Sequence, residues 1–107
     1  MKKTGLLYLL MFLSVLATAC GQGLSSDARA SNLFKLHCQP CHPNGKNVIN
    51  PGKTLYREDL KKNGITTEED IVRIIRVQPR GMTSFDVKTL SDEDALMIAR
   101  YIFETFK

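Results

Sequence analysis

Five consecutive residues, Cys38-Gln39-Pro40-Cys41-His42, hold two thiols and an imidazole, the densest set of reactive side chains in this 107-residue chain. Two cysteines three apart with a histidine directly after them have the spacing that attaches a haem. Each thiol adds across one porphyrin vinyl group, and the histidine places its imidazole under the iron. The same residues allow three other chemistries. A redox-active C-x-x-C pair normally sits where a strand enters a helix, and no strand pattern precedes Cys38. A structural disulfide between cysteines so close would leave His42 without a use. Zinc is the stronger rival, since His37, Cys38, Cys41 and His42 make four nominal ligands. Structural zinc, however, usually draws on two separated clusters, and no other Cys or His follows. His37 therefore reads as a surface residue.

A haem iron held by His42 has a sixth coordination position. Downstream, the chain offers Met82 and Met97. Met97 falls between Leu96 and Ile98 in a helical pattern, where a methionine fills a core or groove. Met82 follows Arg80-Gly81 in a loop, where it has no helix face to fill and its thioether is free to fold onto iron. Histidine plus methionine ligation raises the reduction potential and leaves no open position for oxygen chemistry, which suits electron transfer.

The elements that must position these residues are helical. Ser26 or Asp27 caps a first helix running to about Cys38, with Leu33, Phe34 and Leu36 as buried candidates, and Pro40 and Pro43 stop it. Residues 44–53 carry Gly45 and Pro51-Gly52 and read as loop. A short helix follows from Leu55 to Lys62, closed by Asn63-Gly64. Thr67 with Asp70 forms an acidic capping box ahead of an apolar face of Ile71, Ile74 and Ile75, with Glu69 and Arg73 paired four apart on the solvent side. Pro79-Arg80-Gly81 opens a loop through Leu90. The last helix starts at Ser91, with Asp94 in the box position and Ala95, Ile98, Ala99, Ile102 and Phe106 on one face. The fold class is all-α, about four helices wrapped around one covalent haem. A domain this small buries little apolar surface alone and needs a staple, metal or cofactor.

Residues 1–19 have the form of a bacterial export signal. Lys2 and Lys3 precede an apolar run from Gly5, too short to span a bilayer, that ends in Ala17-Thr18-Ala19. Cys20 follows, and Ala17-Thr18-Ala19-Cys20-Gly21 resembles a lipobox, in which the cysteine is diacylated. The pentapeptide claims the other two cysteines, so Cys20 is left over, which favours lipidation over a stray thiol. Plain cleavage before Cys20, giving a soluble periplasmic protein, is the alternative. Residues 20–26 then form a lipidated tether and residues 27–107 the folded domain, anchored to a membrane, in outline the outer one, without spanning it. Without Lys2 and Lys3 the chain has 13 basic against 11 acidic residues. That near-balance, with no basic stripe, gives no footprint for nucleic acid.

Over about residues 27–106 the sequence resembles the class I cytochromes c, and within them the cytochrome c6 group. Phe34 matches the aromatic of the first helix. Asn47-Val48-Ile49 with Pro51 and Lys53-Thr54-Leu55 resembles the c6 loop and following helix. Gly81-Met82-Thr83-Ser84-Phe85 resembles the distal-ligand loop, and Tyr101 matches the aromatic of the last helix. The resemblance implies one covalent haem c on Cys38 and Cys41, with His42 and Met82 as axial ligands. It also implies that the Pro51 carbonyl accepts from His42 Nδ1–H, and that Phe34 meets Tyr101 where the terminal helices cross. Two positions depart: Ala30 stands where the family usually has Gly, and Thr83 where Pro commonly follows the Met. The loop before Met82 also looks shorter than in photosynthetic c6 proteins. A looser match is to the c6-like monohaem lipoprotein cytochromes of metal-reducing bacteria.

The function implied is a one-electron carrier, not an enzyme, that meets transient redox partners in a bacterial respiratory chain. Lys53, Arg57 and Arg80 are candidates for steering an acidic partner or pairing with propionates. A haem protein that senses a small molecule through a labile Met82, and a structural zinc lipoprotein, are the alternatives.

Overall fold

The computed structural model describes residues 25–77, 79 and 81–107. The leader and Cys20 therefore lie outside the described residues, as do Gln78 and Arg80. Among the described residues four α-helices follow in order: α1 (Ser26–His37), α2 (Arg57–Lys62), α3 (Glu68–Val77) and α4 (Asp92–Thr105), with a 3-10 turn at Pro43–Gly45 between α1 and α2. No strand occurs among the described residues, in agreement with the all-α expectation. Nor is any described helix long and apolar enough to cross a membrane.

The helix boundaries follow from capping chemistry. Ser25, one residue earlier than expected, caps α1 by accepting from Ala28 N at 3.3 Å, so the helix takes in Ser26 from the expected tether. Helix α2 begins two residues later than its apolar pattern suggested, because the Leu55 amide donates to the Gly45 carbonyl at 2.7 Å and Tyr56 remains extended. Its end is a Schellman motif. Gly64 (φ 73°) donates to Lys61 O, and Ile65 N donates to Leu60 O, which satisfies two otherwise unpaired carbonyls. The Thr67–Asp70 box forms in both directions. Asp70 N donates to Thr67 Oγ1 at 3.2 Å, while Asp70 Oδ2 accepts from Thr67 N at 3.1 Å and Thr66 N at 3.0 Å. Arg73 therefore pairs with Asp70 at 3.0 Å and not with Glu69. At α4, Ser91 Oγ accepts from Asp94 N as expected. The Asp94 carboxylate turns away instead, toward Arg29 of α1 at 2.7 Å.

Helix α4 packs against both α1 and α3. Its inward face is the one anticipated: Ala95, Ile98 and Ala99 are fully buried, with Ile102 and Phe106 beside them. Phe34, Leu60, Ile71, Ile75 and Leu90 complete the core. Leu36 is not part of it and stays 69% exposed. Two residues along a helix amount to a turn of about 200°, so burying Phe34 points Leu36 outward. The loop after α3 is tied back at its middle. Phe85 N donates to Ile75 O, and the Arg76 guanidinium donates to Phe85 O at 2.9 Å and to Asp92 Oδ1 at 2.6 Å.

Two measurements test this scaffold. The Asp70 carboxyl is held down at about 2, chiefly by the backbone N–H groups of Thr66 and Thr67. Its folded value lies below its ordinary 3.8, so its stabilisation is present above that value and is lost as pH falls toward about 2. Thermal midpoints measured from pH 5 to pH 2 are expected to fall less steeply for Asp70→Asn than for wild type. Arg76→Ala removes the charge-assisted hydrogen bond to Phe85 O in the loop, of a kind worth about 1.5–3 kcal/mol, together with the exposed pair to Asp92 at the start of α4. Faster exchange of the Phe85 amide, by comparison with amides in α4, is the expected result.

Candidate functional site

The turn after α1 presents the pentapeptide as one unit. Gln39 N donates to Phe34 O at 2.9 Å, and Cys41 N and His42 N both donate to Cys38 O, at 3.1 and 2.8 Å. These bonds continue the helix for about one turn and bring Cys38, Cys41 and His42 to the wall of a single cavity of about 310 Å³. Neither cysteine is in a disulfide. Burial, with Cys41 adding to it, holds the Cys38 thiol up at about 12. Such a group stays protonated at neutral pH and is poorly suited to thiolate exchange. Among the described residues, no three His, Cys, Asp or Glu side chains come together as a metal-ion site.

His42 is 9% exposed. Burial pushes its pKa down, and a hydrogen bond to Lys46 opposes this in part. Its Nδ1 lies 2.9 Å from the Lys46 carbonyl oxygen. A carbonyl only accepts, so Nδ1 carries the proton and Nε2 keeps a free lone pair. This corrects the expectation for Pro51, which is exposed and does not line the cavity. The reason is local: Asn44 (φ 53°) and Gly45 (φ 79°) turn the chain back within four residues, so the Lys46 carbonyl reaches the ring first.

Met82 is half-buried and lines the same cavity; Met97, on α4, does not. The remaining wall is largely apolar, from Leu60, Ile65, Ile71, Ile74, Ile75, Ile98 and Ile102. An apolar cavity with one fixed imidazole, one thioether and two thiols fits a haem c in its donor chemistry. Phe34 and Tyr101 meet as expected, ring centroids 5.3 Å apart. His37 is half-buried, not a surface residue: it lines the cavity and meets Phe85 edge-on at 5.4 Å. Of the three basic candidates, Lys53 lines the cavity. Arg57 Nη2 is taken up by the Phe103 carbonyl at 2.7 Å, and Arg80 lies outside the described residues.

The roles of three residues escaped the reading of the sequence. Lys46 acts through a backbone carbonyl, which no side-chain pattern reports. Arg76 reaches the loop nine residues on, and Phe106, read only as a buried position on the last helix, covers Gly45. Gly45 itself was read only as a loop glycine.

A family model for the cytochrome c oxidase, cbb3-type, subunit III family matches residues 25–102. The chloroplastic cytochrome c6 of Arabidopsis thaliana is 35% identical over 86 residues, which are 69% of this chain and about half (49%) of that protein. A cytochrome c6-like protein of Nostoc sp. is 33% identical over 110 residues, covering 97% of this chain and 94% of its relative. Among solved structures, OmcF, the outer membrane cytochrome F of Geobacter sulfurreducens, superposes with a TM-score of 0.70 at 38% identity. The match covers 73% of this chain and 99% of OmcF. With that fold, that cavity and those relatives, the chain belongs to the class I cytochromes c, in the c6-like group, as a single-haem electron carrier whose haem c is covalently bound.

Proposed function

We propose that Cys38 and Cys41 hold the haem through thioether bonds, that His42 and Met82 are its axial ligands, and that the protein carries single electrons in a bacterial respiratory chain. The observation that carries this reading is the convergence of all four side chains on one apolar cavity, with His42 already fixed in the tautomer that leaves Nε2 free. When bound, the haem supplies an iron that cycles between ferric and ferrous states. The residues around it do the rest. Lys46 orients the imidazole, Met82 would offer its thioether as the second ligand and so shut out small molecules, and the isoleucine-rich wall excludes water. A low-dielectric lining favours the oxidation state of lower net charge, the reduced one.

A setting at a membrane surface is supported by the likeness to OmcF, an outer membrane cytochrome, across nearly all of that protein and by the export-signal pattern of residues 1–19. Residues 1–19 are proposed as the export signal and residues 20–26 as a tether whose Cys20 is lipidated, placing the domain at a membrane surface, the outer membrane in the first instance. Exposed Val48 and Ile49 (59% and 57%) with Lys53 give the rim near the cavity a mixed apolar and basic character suited to brief contacts with redox partners.

A pyridine haemochrome assay on protein expressed with its leader should give one haem c per chain, and a colourless product would sink the reading. The sulfur-to-iron charge-transfer band of the oxidised protein is expected to vanish in Met82→Ala and persist in Met97→Ala; the reverse would move the ligand to α4. Palmitate should label wild type but not Cys20→Ala, and the latter should leave the membrane fraction. Equal labelling of both would remove the anchor at Cys20.

A further inference from the structure

The turn that carries the His42 acceptor rests on a buried aromatic ring. Gly45 is buried although it lies in a loop, and Phe106 is what covers it. A Cβ added at Gly45 would stand 2.5 Å from Phe106 Cδ1 and 2.8 Å from Cγ, so the ring occupies the space a side chain would need. The segments on either side are tied to the same place. Leu55 N donates to Gly45 O at 2.7 Å, Tyr56 Oη donates to Asn44 O at 2.9 Å, and Arg57 N donates to Phe106 O at 3.2 Å. Tyr56 and Phe106 meet edge to face at 6.2 Å, and Phe106 also packs on Phe34 of α1 at 5.4 Å. Phe106 is thus wedged between the helix that leads into the pentapeptide and the turn that leaves it. It does not itself line the cavity.

We propose that Phe106 is a positioning residue for the His42 imidazole: by pinning Gly45 it fixes the Lys46 carbonyl that accepts from Nδ1, and so sets the tautomer and plane of the ring. The physical case is a matter of freedom. A glycine at φ 79° has little intrinsic reason to stay there, since it populates both signs of φ with similar ease. Lys46 is exposed, so its carbonyl has water as a competing partner once the turn loosens. The ring removes both alternatives at once. A partner that holds the outer nitrogen of a ligating histidine fixes its orientation and raises its basicity, which makes Phe106 a remote determinant of the iron's electronic state. This inference rests on His42 being an axial ligand.

Histidine-labelled holoprotein reports both matters on one ring. The hyperfine shift of the His42 nitrogens in the oxidised state reads iron ligation, and solvent exchange of the Nδ1 proton reads the hold of Lys46. In Phe106→Ala that proton should exchange several-fold to about tenfold faster, the range that the net strength of one hydrogen bond allows. Phe106→Tyr should restore the wild-type rate. Leu90→Ala is the control, because Leu90 is buried at the opposite end of α4. It should lower the thermal midpoint and leave the exchange rate unchanged. If Phe106→Ala does not fold, Phe106→Leu keeps most of the volume without the flat ring and should show a smaller acceleration. Exchange at the wild-type rate in the folded Phe106 variant, or acceleration no greater than in Leu90→Ala at equal loss of stability, overturns the proposal. A His42 ring with no hyperfine shift overturns the ligand assignment instead, whatever the Phe106 variants do.

Discussion

The inward face of α4 is the surface on which the other elements settle. Ala95 and Ala99 are fully buried, and side chains that small let neighbouring helices approach closely. Ile98 and Ile102, on the same face, also line the cavity. One helix therefore supplies the contact that closes the fold and part of the wall that faces the cofactor. In a domain of about eighty residues there is little apolar surface to divide between the two tasks. A cavity of about 310 Å³ occupies what would otherwise be the centre of the core. A covalently held haem would fill that centre, and holding the cofactor and holding the fold would then be one problem.

The two sides of the cavity are held by different physics. On the His42 side the bonds to the ring are local: the acceptor for Nδ1 is four residues on, and the pentapeptide is bonded to the last turn of α1, with Phe106 packed against the turn from the far end of the chain. On the Met82 side the chain has left α3 and not yet entered α4. It depends on long side-chain links, Arg76 to Phe85 and Asp92 and His37 against Phe85. Segments held by few exposed hydrogen bonds open at lower free energy than segments within packed helices. The Met82 loop is thus the part of the site that yields first. Thr83, in place of the family's usual proline, adds no stiffness there.

Much of this was legible in the sequence because its causes are local. The Thr67–Asp70 box, the Asn63-Gly64 stop and the buried face of α4 from Ala95 to Ile102 each involve residues within about two turns, and each formed as read. The failures have a common physical origin. The Pro51 carbonyl was expected to serve His42, but two left-handed residues, Asn44 and Gly45, bring the Lys46 carbonyl to the ring instead. Helix α2 starts late because a residue ten positions earlier takes the Leu55 amide. Arg76, Glu68 and Arg29 find partners 16, 32 and 65 positions away, beyond any periodic pattern.

Those three distant pairs share a further property that bears on what they do. Arg29–Asp94, Arg76–Asp92 and Arg100–Glu68 each join α4, or its first turn, to a neighbouring helix, and each has one partner more than half exposed. Exposed pairs of this kind contribute between nothing and about 1 kcal/mol, too little to hold the helices together against the entropy of ordering them. Their value lies in selection. An apolar face built of Ala and Ile is nearly indifferent to small rotations of the helix that covers it. A guanidinium that reaches its carboxylate in only one register is not. The apolar face of α4 supplies the attraction, and the charges at its margin choose the arrangement in which His42 and Met82 line one cavity.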